Sequence, residues 1–553
     1  MLKKVSALII VVTTIFSSTP IFATNDDSTN NTNEITFDKK IGINGFVDCK
    51  FDNIQNSGVF REYHNFSSTF DSNSGKSYFK SSSYNYDEFY KNLYISGITI
   101  VPCFKNGTDK DNKENKPIKS GDNSTNPESY KTHSNVLYNY SARYGNTIVD
   151  KNKLNITQGT NPITGLGYIK YYENWNEPDK TKFGDKAHFS PEEFAAMCSA
   201  DYDGHEGSLG NTYGIKQADP YSKLVLGGLS SNNNPIDYLN SIKKWCEENR
   251  NSKTLPFDVI NFHHYSGAKS PESSDFISKA NEIIDWKNEN APDKEVWISE
   301  FGWDTNISSP NSAPSADSQR DWIIREYLLA DRIGLNRAIV NSSRDNSNAN
   351  SSSPLSTSGL TSQKGKEERK SSWYGVNTLK NTLGGFIFSG IIREESDIYI
   401  YKYTNPLTSE DCFVLWCPTS DNKRLDNYEL EIGDNNGANL IQLQPNTEYG
   451  ISSALTVENN TIQINVSETP TFVKVTPSEK TISLNTPKSE TSLDANNVNT
   501  QYLDKNQTSK EYSPSEINVS ATNKESKSSL SIKKIEKFSS IISFFSFLWA
   551  MFV

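Results

Sequence analysis

A regular alternation between short β-branched apolar runs and longer amphipathic stretches fills residues 37–385 of this 553-residue chain. Such alternation is typical of βα units arranged around a parallel sheet. Eight runs can be counted, and this number predicts an α/β protein with a closed (β/α)8 barrel more readily than an open sheet. In chain order the predicted strands are residues 41–46, 59–64, 97–104, 168–175, 223–229, 259–265, 295–301 and 337–342.

Two of the intervening stretches carry helix signals at their ends. Ser190 can cap a helix whose first position is Pro191 and whose first turn contains two glutamates. Residues 315–333 place apolar side chains on one stripe, and Gly334 follows as a terminator. Both stretches therefore predict helices between strands of the barrel.

The pattern changes after the barrel. Five short alternating strands predict a small all-β sandwich over residues 386–477. They are residues 397–403, 411–417, 428–432, 461–467 and 471–477. Residues 478–537 are rich in Ser, Thr, Asn, Lys and Glu and nearly lack aromatics, so we expect a disordered linker that cannot bury enough surface to fold.

Both ends of the chain carry an apolar segment. Residues 1–23 combine two lysines, an apolar run and a small final residue, as a secretory signal peptide does, and a polar segment, 24–36, follows. The last run, 538–553, follows small residues and a polar spacer, while its flanking lysines stand on the wrong side for a stop-transfer helix. In a eukaryote this favours a glycosylphosphatidylinositol (GPI) anchor signal over a membrane span. We expect an extracellular protein, secreted or anchored at the cell surface, and the N-x-S/T sequons fit an exported glycoprotein.

The charge balance narrows the range of partners. The chain has 56 Lys and Arg against 67 Asp and Glu, a formal net charge of −11. An acidic protein lacks the basic face that nucleic acid or an anionic membrane requires, so we expect no nucleic acid, and membrane contact only through the C-terminal anchor. The acidic balance does not exclude a neutral substrate. We also expect the protein to be a monomer. Aromatic residues, 11% of the chain, suit stacking on flat ligand faces but also fill cores.

The cysteines and acidic clusters indicate no metal site. Six cysteines suit an oxidising compartment but leave their pairing open, and no CxxC or Cys/His cluster is present. The acidic stretch DYDGHEG, residues 201–207, lacks the spacing of an EF-hand and follows a predicted helix. We therefore predict neither a metal nor a cofactor.

Two glutamates stand at the ends of predicted strands. Glu177, in ENWNEPD, follows the fourth strand, and Glu300, in VWISEFGWDT, ends the seventh. In a barrel these strand ends face each other across the mouth, where catalytic groups of this fold lie. One protonated and one ionised carboxyl group across a cleft can hydrolyse an acetal, because the first protonates the leaving oxygen while the second attacks or stabilises the anomeric carbon.

These motifs resemble those of a known group of enzymes. WNEP at residues 175–178, followed by the glutamate of WISEFG, is similar to glycoside hydrolase clan A, which includes families 39, 5 and 30. The resemblance implies a barrel with retaining chemistry, in which Glu177 is the acid/base and Glu300 the nucleophile. It also implies that Asn176 bonds the 2-hydroxyl of the sugar. The following sandwich resembles that of family 39 and 30 members.

Three further polar residues stand near predicted strand ends. In HHY, the two-residue period of a strand places His263 and Tyr265 on one side. By resemblance to the clan, Tyr265 orients Glu300, His263 lines the sugar site, and Arg61 is the cation of the second strand that keeps the nucleophile ionised. His64 could reach the same mouth.

Tryptophans at or after strand ends are candidate platforms for sugar rings. Trp175, Trp303 and Trp373 could stack on pyranose faces, although each could equally be a core residue. The eighth strand, RAIVNSSRD, lacks the aromatic residue that many members of the clan carry there, and Trp373 is a candidate substitute.

The sequence therefore predicts a retaining glycoside hydrolase that acts on a β-linked polysaccharide or oligosaccharide. Two alternatives stay open at this point. A wall-remodelling transglycosylase would use the same residues, and a surface glycan-binding protein could keep the barrel without turnover. The sugar, the linkage and endo or exo action are not written in the motifs, since specificity lies in the loops.

Overall fold

The computed structural model describes residues 35–478, apart from gaps at 56, 82–83, 106–114, 182–185, 231–233, 307–312 and 348–354. The predicted signal peptide, most of the segment 24–36, the linker and the apolar tail lie outside the described residues, and their assignments stay predictions. Within these described ranges, no helix is both long enough and apolar enough to cross a membrane.

Among the described residues, eight parallel strands close into a barrel, and the first pairs with both the second and the last. Each predicted strand has an observed counterpart, so the predicted fold class is confirmed. The observed strands are shorter at several ends, because loops begin before the apolar run finishes. Their bounds are β1 Ile41–Gly45, β2 Val59–Asn65, β5 Thr99–Lys105, β6 Tyr171–Asn174, β7 Lys223–Leu226, β8 Val259–His263, β9 Glu295–Phe301 and β10 Arg337–Val340, with a hairpin of β3 Phe70–Asp71 and β4 Lys76–Ser77 after β2.

Helices surround the barrel and end where the sequence signals predict. Ser190 and Glu193 form a reciprocal capping box at one helix start, and Gly204 ends that helix with a left-handed conformation. Gly334 ends a later helix in the same way. The helices are α1 Phe37–Lys40, α2 Phe51–Ile54, α3 Tyr86–Ile95, α4 Lys131–Tyr144, α5 Pro191–Asp203, α6 Ile215–Ala218, α7 Pro235–Asn249, α8 Phe276–Asn290, α9 Ala316–Ile333 and α10 Ser371–Leu383.

The barrel interior consists of two layers of different chemistry. The lower layer, at the start of the strands, is a buried apolar cluster. The upper layer begins two residues further along the same strands and is polar, buried and linked by hydrogen bonds. Since side chains two apart share a face, the strands point both sets inward. The lower layer is Val59, Val101, Tyr171, Val225, Val259, Trp297 and Ile339; the upper layer is Asn44, Arg61, Cys103, Glu173, Asn261 and Ser299.

A β-sandwich follows the barrel, as predicted. A six-stranded antiparallel sheet, in the order β11-β12-β13-β18-β15-β16, packs over the two-stranded sheet β14-β17. The predicted strands correspond to five of these, and the sequence pattern missed β11, β15 and β16, whose side chains are mostly exposed or half-buried. The bounds are β11 Ile387–Glu395, β12 Ile398–Thr404, β13 Asp411–Trp416, β14 Arg424–Glu431, β15 Asn435–Gln442, β16 Ile451–Leu455, β17 Thr461–Ser467 and β18 Thr471–Pro477.

The central strands of the larger sheet are covered on both faces. Ile400 and Leu415 face the two-stranded sheet, whereas Tyr401, Val414 and Trp416 belong to the same apolar core as the barrel helices. Polar contacts join the same surfaces: Trp416 Nε1 donates to Glu272 at 2.8 Å, and Glu272 also pairs with Arg325 of α9. Barrel and sandwich therefore share one continuous core.

Candidate active site

Glu300 reaches the barrel mouth because β9 contains an extra residue. The pairing of β8 with β9 runs from Phe262 opposite Ile298 to His263 opposite Glu300, so Ser299 is inserted. A bulge of this kind changes the side to which the following side chain points. Ser299 keeps its inward place in the upper layer, and Glu300 is turned toward the mouth, where its residue is only 5% exposed.

Three donors converge on the Glu300 carboxylate. Arg61 Nη1 donates to Oε1 at 2.9 Å, Tyr63 Oη to Oε1 at 2.6 Å, and Tyr265 Oη to Oε2 at 2.7 Å. Burial by itself raises the pKa of Glu300, but the charges of His263 and Arg61 and the two phenol hydrogen bonds outweigh it and hold the pKa at about 2. Glu300 is therefore ionised over the whole range in which the protein is expected to work.

Glu177 lies on the strained loop after β6. Its φ is +48° and that of Trp175 is +74°, both in the left-handed region that residues with a Cβ seldom occupy. The loop is held by a hydrogen bond from the Glu177 amide to the Gly228 carbonyl at 3.1 Å. Gly228 must lack a side chain, because a Cβ there would lie 2.1 Å from His263 Nε2.

The carboxylate of Glu177 has two neighbours with basic side chains. Lys180 Nζ donates to its Oε2, and His263 Nδ1 lies 3.5 Å from its Oε1. Burial raises the pKa of Glu177, as does the charge of Glu300, but the close contact with His263 and the hydrogen bond from Lys180 lower it below its ordinary value. The two carboxyl groups thus stand in different environments, with Glu300 bonded by neutral phenols and a guanidinium, and Glu177 by a lysine.

His263 stands between the two carboxylates. Its Nδ1 is 3.5 Å from Glu177 Oε1 and 3.7 Å from Glu300 Oε2, while its Nε2 is 3.0 Å from Ser299 Oγ. Glu177 and Glu300 are therefore neighbours across the mouth, as two groups acting on one bond must be.

Arg61 is the centre of the upper layer. In addition to Glu300 it bonds Glu173 through two nitrogens, Asn44 Oδ1 at 2.8 Å and Asn176 Oδ1 at 2.8 Å. Glu173 is fully buried and also accepts from Asn261 Nδ2 at 3.1 Å. A guanidinium has five donors in a fixed plane, so Arg61 fixes Asn176 and Glu300 relative to each other.

Three residues that the sequence reasoning missed complete this network. Tyr63 follows Arg61 by two residues and therefore points to the same inward face of β2. The two-residue period of a strand could have identified Tyr63 as a site residue. Asn341, at the end of β10, donates from Nδ2 to Tyr265 Oη at 2.7 Å and lies 3.4 Å from Tyr63 Oη. Glu173 carries no motif that distinguishes it from a surface glutamate. Asn341 directly follows the eighth barrel strand, which lacks the aromatic residue expected there from the resemblance to the clan.

The structure does not support the predicted tryptophan platforms. Trp303 is 1% exposed and its Nε1 donates to the Lys269 carbonyl, so it is packed inside the protein. Trp373 is 3% exposed, bonds the Asn53 carbonyl and is covered by the Arg369 guanidinium at 3.7 Å. Trp175 is equally buried and packs edge-on against Phe189. These indoles are core residues, because aromatic side chains at strand ends fill the space between barrel and helices.

His64 is also placed away from the mouth. It is one residue out of phase with Arg61 and Tyr63 and therefore points out of the barrel, toward the helices. There its ring contacts Glu62, Thr69 and Tyr140 within a buried polar cluster.

The described residues offer no metal site, since no three side chains of His, Cys, Asp or Glu converge among them. All six cysteines, each within the described ranges, carry free thiols. Cys103 is buried beside Arg61, with Sγ 3.2 Å from Nη2, and so belongs to the upper layer.

Similarity to known proteins is found at the level of the three-dimensional fold and not at the level of sequence. No protein-family model matches the chain, and no curated protein sequence matches it. Among solved structures, a family 39 glycoside hydrolase from the gut symbiont Bacteroides cellulosilyticus is 15% identical, with 80% of this chain and 82% of that chain covered at a TM-score of 0.57.

Two further structures align over similar lengths. A glucosidase from Croceicoccus marinus is 11% identical, with 80% and 97% of the two chains covered and a TM-score of 0.54. The catalytic domain of the family 30 xylanase C from Talaromyces cellulolyticus is 13% identical, again over 80% and 97%, with a TM-score of 0.50. This chain thus has the fold of these barrel glycoside hydrolases, which confirms the resemblance at the level of architecture.

Proposed function

We propose that this protein is a retaining glycoside hydrolase that cleaves β-glycosidic bonds of a polysaccharide or oligosaccharide. The observation that carries the proposal is the pair Glu177 and Glu300, which meet across the mouth in unequal surroundings. The low pKa of Glu300, about 2, supports the role of an ionised nucleophile.

The geometry supports a double displacement. Glu300 attacks the anomeric carbon while the bond to the leaving oxygen breaks and Glu177 gives that oxygen its proton. A water molecule then loses a proton to Glu177 and attacks the same carbon, which releases Glu300. Tyr63, Tyr265 and Arg61 hold the carboxylate of Glu300 in place and stabilise it as the leaving group of the second step.

The environment of Glu177 sets the expected pH range. A proton donor must be protonated, and His263 and Lys180 lower the pKa of Glu177. Protonated Glu177 is lost as pH rises through that pKa, whereas Glu300 stays ionised down to a pH of about 2. We therefore expect kcat/KM to be greatest under acidic conditions and to fall toward neutral pH.

The sequence features at the two ends support a location for this activity. We propose that the protein is exported through residues 1–23 and retained at the cell surface by residues 538–553. Release from cells by a phosphatidylinositol-specific phospholipase tests the anchor, and retention after treatment would count against it.

The activity is tested by product analysis on β-glucans, mannans, xylans and aryl β-glycosides. Glu300→Gln should lose turnover, whereas Glu295→Gln, the same change at the opposite end of the same strand, should keep it. Products longer than the substrate would assign the transglycosylase alternative, because sugar then replaces water as acceptor. If the wild-type protein binds glycans but turns over none of them, it is a glycan-binding protein instead.

The two roles are separated by rescue with azide. In Glu300→Ala, azide should occupy the space of the nucleophile and give a glycosyl azide of inverted configuration. In Glu177→Ala, azide should attack the covalent intermediate and give the retained β-azide. The opposite pattern would exchange the roles, and rescue of neither variant would contradict the double displacement.

A further inference from the structure

Lys105 is the last residue of β5, the third barrel strand. Val101 lies in the lower layer and Cys103 in the upper layer, so the two-residue period directs Lys105 to the same inward face at the level of the mouth. Its Nζ lies 4.9 Å from the ring centroid of Tyr63, whose hydroxyl donates to Glu300. Lys105 therefore lies at the barrel mouth near Glu300 and not on the outer surface of the barrel.

The other cations of the mouth are paired with carboxylates. Arg61 bonds Glu173 and Glu300, and Lys180 bonds Glu177. Lys105 is half-buried, and among the residues that the structure describes it has no carboxylate partner; its Nζ lies over the face of the Tyr63 ring. Partial withdrawal of an ammonium group from water without a counter-charge costs free energy, and an anionic ligand bound beside it would offset that cost.

The charge balance of the reacting form strengthens this point. Three carboxylates, Glu173, Glu177 and Glu300, face the permanent cations of Arg61, Lys105 and Lys180. The His263 imidazole, which adds a charge only when it is protonated, lies between two of these carboxylates. A glycoside hydrolase begins its reaction with the acid protonated, and protonation of Glu177 leaves at least one positive charge in excess. The whole chain carries a net charge of −11, so this local excess is not a consequence of a generally basic surface.

We propose that Lys105 binds an anionic substituent, a carboxylate or a sulfate, on the sugar at or next to the bond that is cleaved. The inference rests on the proposed glycoside hydrolase activity and narrows its substrates to acidic β-glycosides. A lysine suits either anion, because its ammonium is a point charge with three rotatable donors and imposes no planar geometry. The Nζ lies over the Tyr63 ring, whose hydroxyl donates to Glu300, so the ammonium stands beside the proposed nucleophile.

The test compares matched aryl β-glycosides in the gluco and galacto series: the neutral glycoside, the uronide and the 6-sulfate. Wild-type protein should prefer one acidic member, and which of the two it prefers identifies the anion. Lys105→Met keeps the apolar stem but removes the charge, and should lower kcat/KM for that member about ten-fold or more while leaving the neutral glycoside little changed. Lys105→Arg should retain most of the preference, and Lys243→Met on the outer helix α7 should retain all of it.

The outcomes separate this inference from the proposed function. Turnover of neutral glycosides with a ratio that Lys105→Met does not change would overturn the role of Lys105 and leave the hydrolase intact. Absence of turnover for every member of the series would overturn both. Loss of activity on neutral and acidic members alike would make Lys105 a structural support of Tyr63 and would also overturn the inference.

Discussion

The lower and upper layers of the barrel are built on the same strands two residues apart, yet they differ in every physical respect. The lower layer packs Val, Ile, Tyr and Trp side chains into a buried apolar cluster. The upper layer buries a guanidinium, a carboxylate and several amides, each of which needs a partner. A substitution in the lower layer costs packing energy, whereas the stability of the upper layer depends on complete pairing of its charges.

The largest effect is expected from breaking the upper layer at its centre. Arg61→Met leaves Glu173 and Glu300 buried without their shared cation, and should reduce the free energy of unfolding by about 3–5 kcal/mol and abolish turnover. Urea denaturation and activity assays measure the two effects. The double variant Arg61→Met/Glu173→Met removes the charge pair together and should recover part of the stability but no activity. A single variant as stable as wild type would contradict the described pairing.

A cut into the lower layer should cost stability without affecting the chemistry. Ile339 is fully buried in β10, and Ile339→Ala should reduce the free energy of unfolding by about 2–5 kcal/mol through lost packing and a residual cavity. The folded fraction should keep the wild-type kcat, as measured after correction for unfolded protein. A fall in kcat comparable to that of an upper-layer variant would remove the distinction between the layers.

Asn341 gives the matching change two residues after Ile339, directly beyond the end of β10. Asn341→Ala removes the amide that bonds Tyr265 Oη and neighbours Tyr63 Oη, so both phenols lose a restraint on their contact with Glu300. We expect kcat to fall about ten-fold, which is about 1.4 kcal/mol in the barrier, with a smaller change in stability than in Ile339→Ala. Steady-state kinetics with thermal denaturation decide between this result and a purely structural role, in which KM and kcat would stay unchanged.

The smallest effect concerns pH. Lys180→Met removes a cation that lowers the pKa of Glu177, so the pKa of Glu177 should rise and the acid should stay protonated to higher pH. The alkaline limb of the kcat/KM profile should therefore move upward, by about one unit or less. Lys180→Arg keeps the charge and should leave the limb in place. An alkaline limb that stays in place in Lys180→Met, or moves downward, would contradict a role of Lys180 in lowering the pKa of Glu177.

The architecture could be predicted from the sequence because its signal is repeated. Eight β-branched runs separated by amphipathic stretches together predict the barrel, and an error in the bounds of any one strand does not change that prediction. The strands β11, β15 and β16 were missed since their side chains are mostly exposed or half-buried, and alternation is weak where neither face is fully buried.

The site was predictable only where residue type and strand period agree. Four of the predicted site residues stand at or near strand ends, and the structure brings them together. They are Arg61, Glu177, Tyr265 and Glu300. Their chemical roles stay proposals. The bulge at Ser299 has no sequence signal, although it directs Glu300 to the mouth.

Buried and exposed aromatics could not be told apart from the sequence. Trp303 and Trp373 follow strands as a sugar platform would, yet both indoles are enclosed by neighbours far away in sequence. Burial of this kind depends on which helices pack over the strand ends, and a single strand motif does not contain that information.

The doubly covered strands of the sandwich determine which fragments of this protein can be produced. A fragment that ends at residue 385 would lose Tyr401, Val414 and Trp416 and expose the apolar surface of α9, together with Arg325 and its partner Glu272. Such a fragment should aggregate on expression even though its barrel is complete. The smallest soluble product should therefore run through the end of β18, at Pro477.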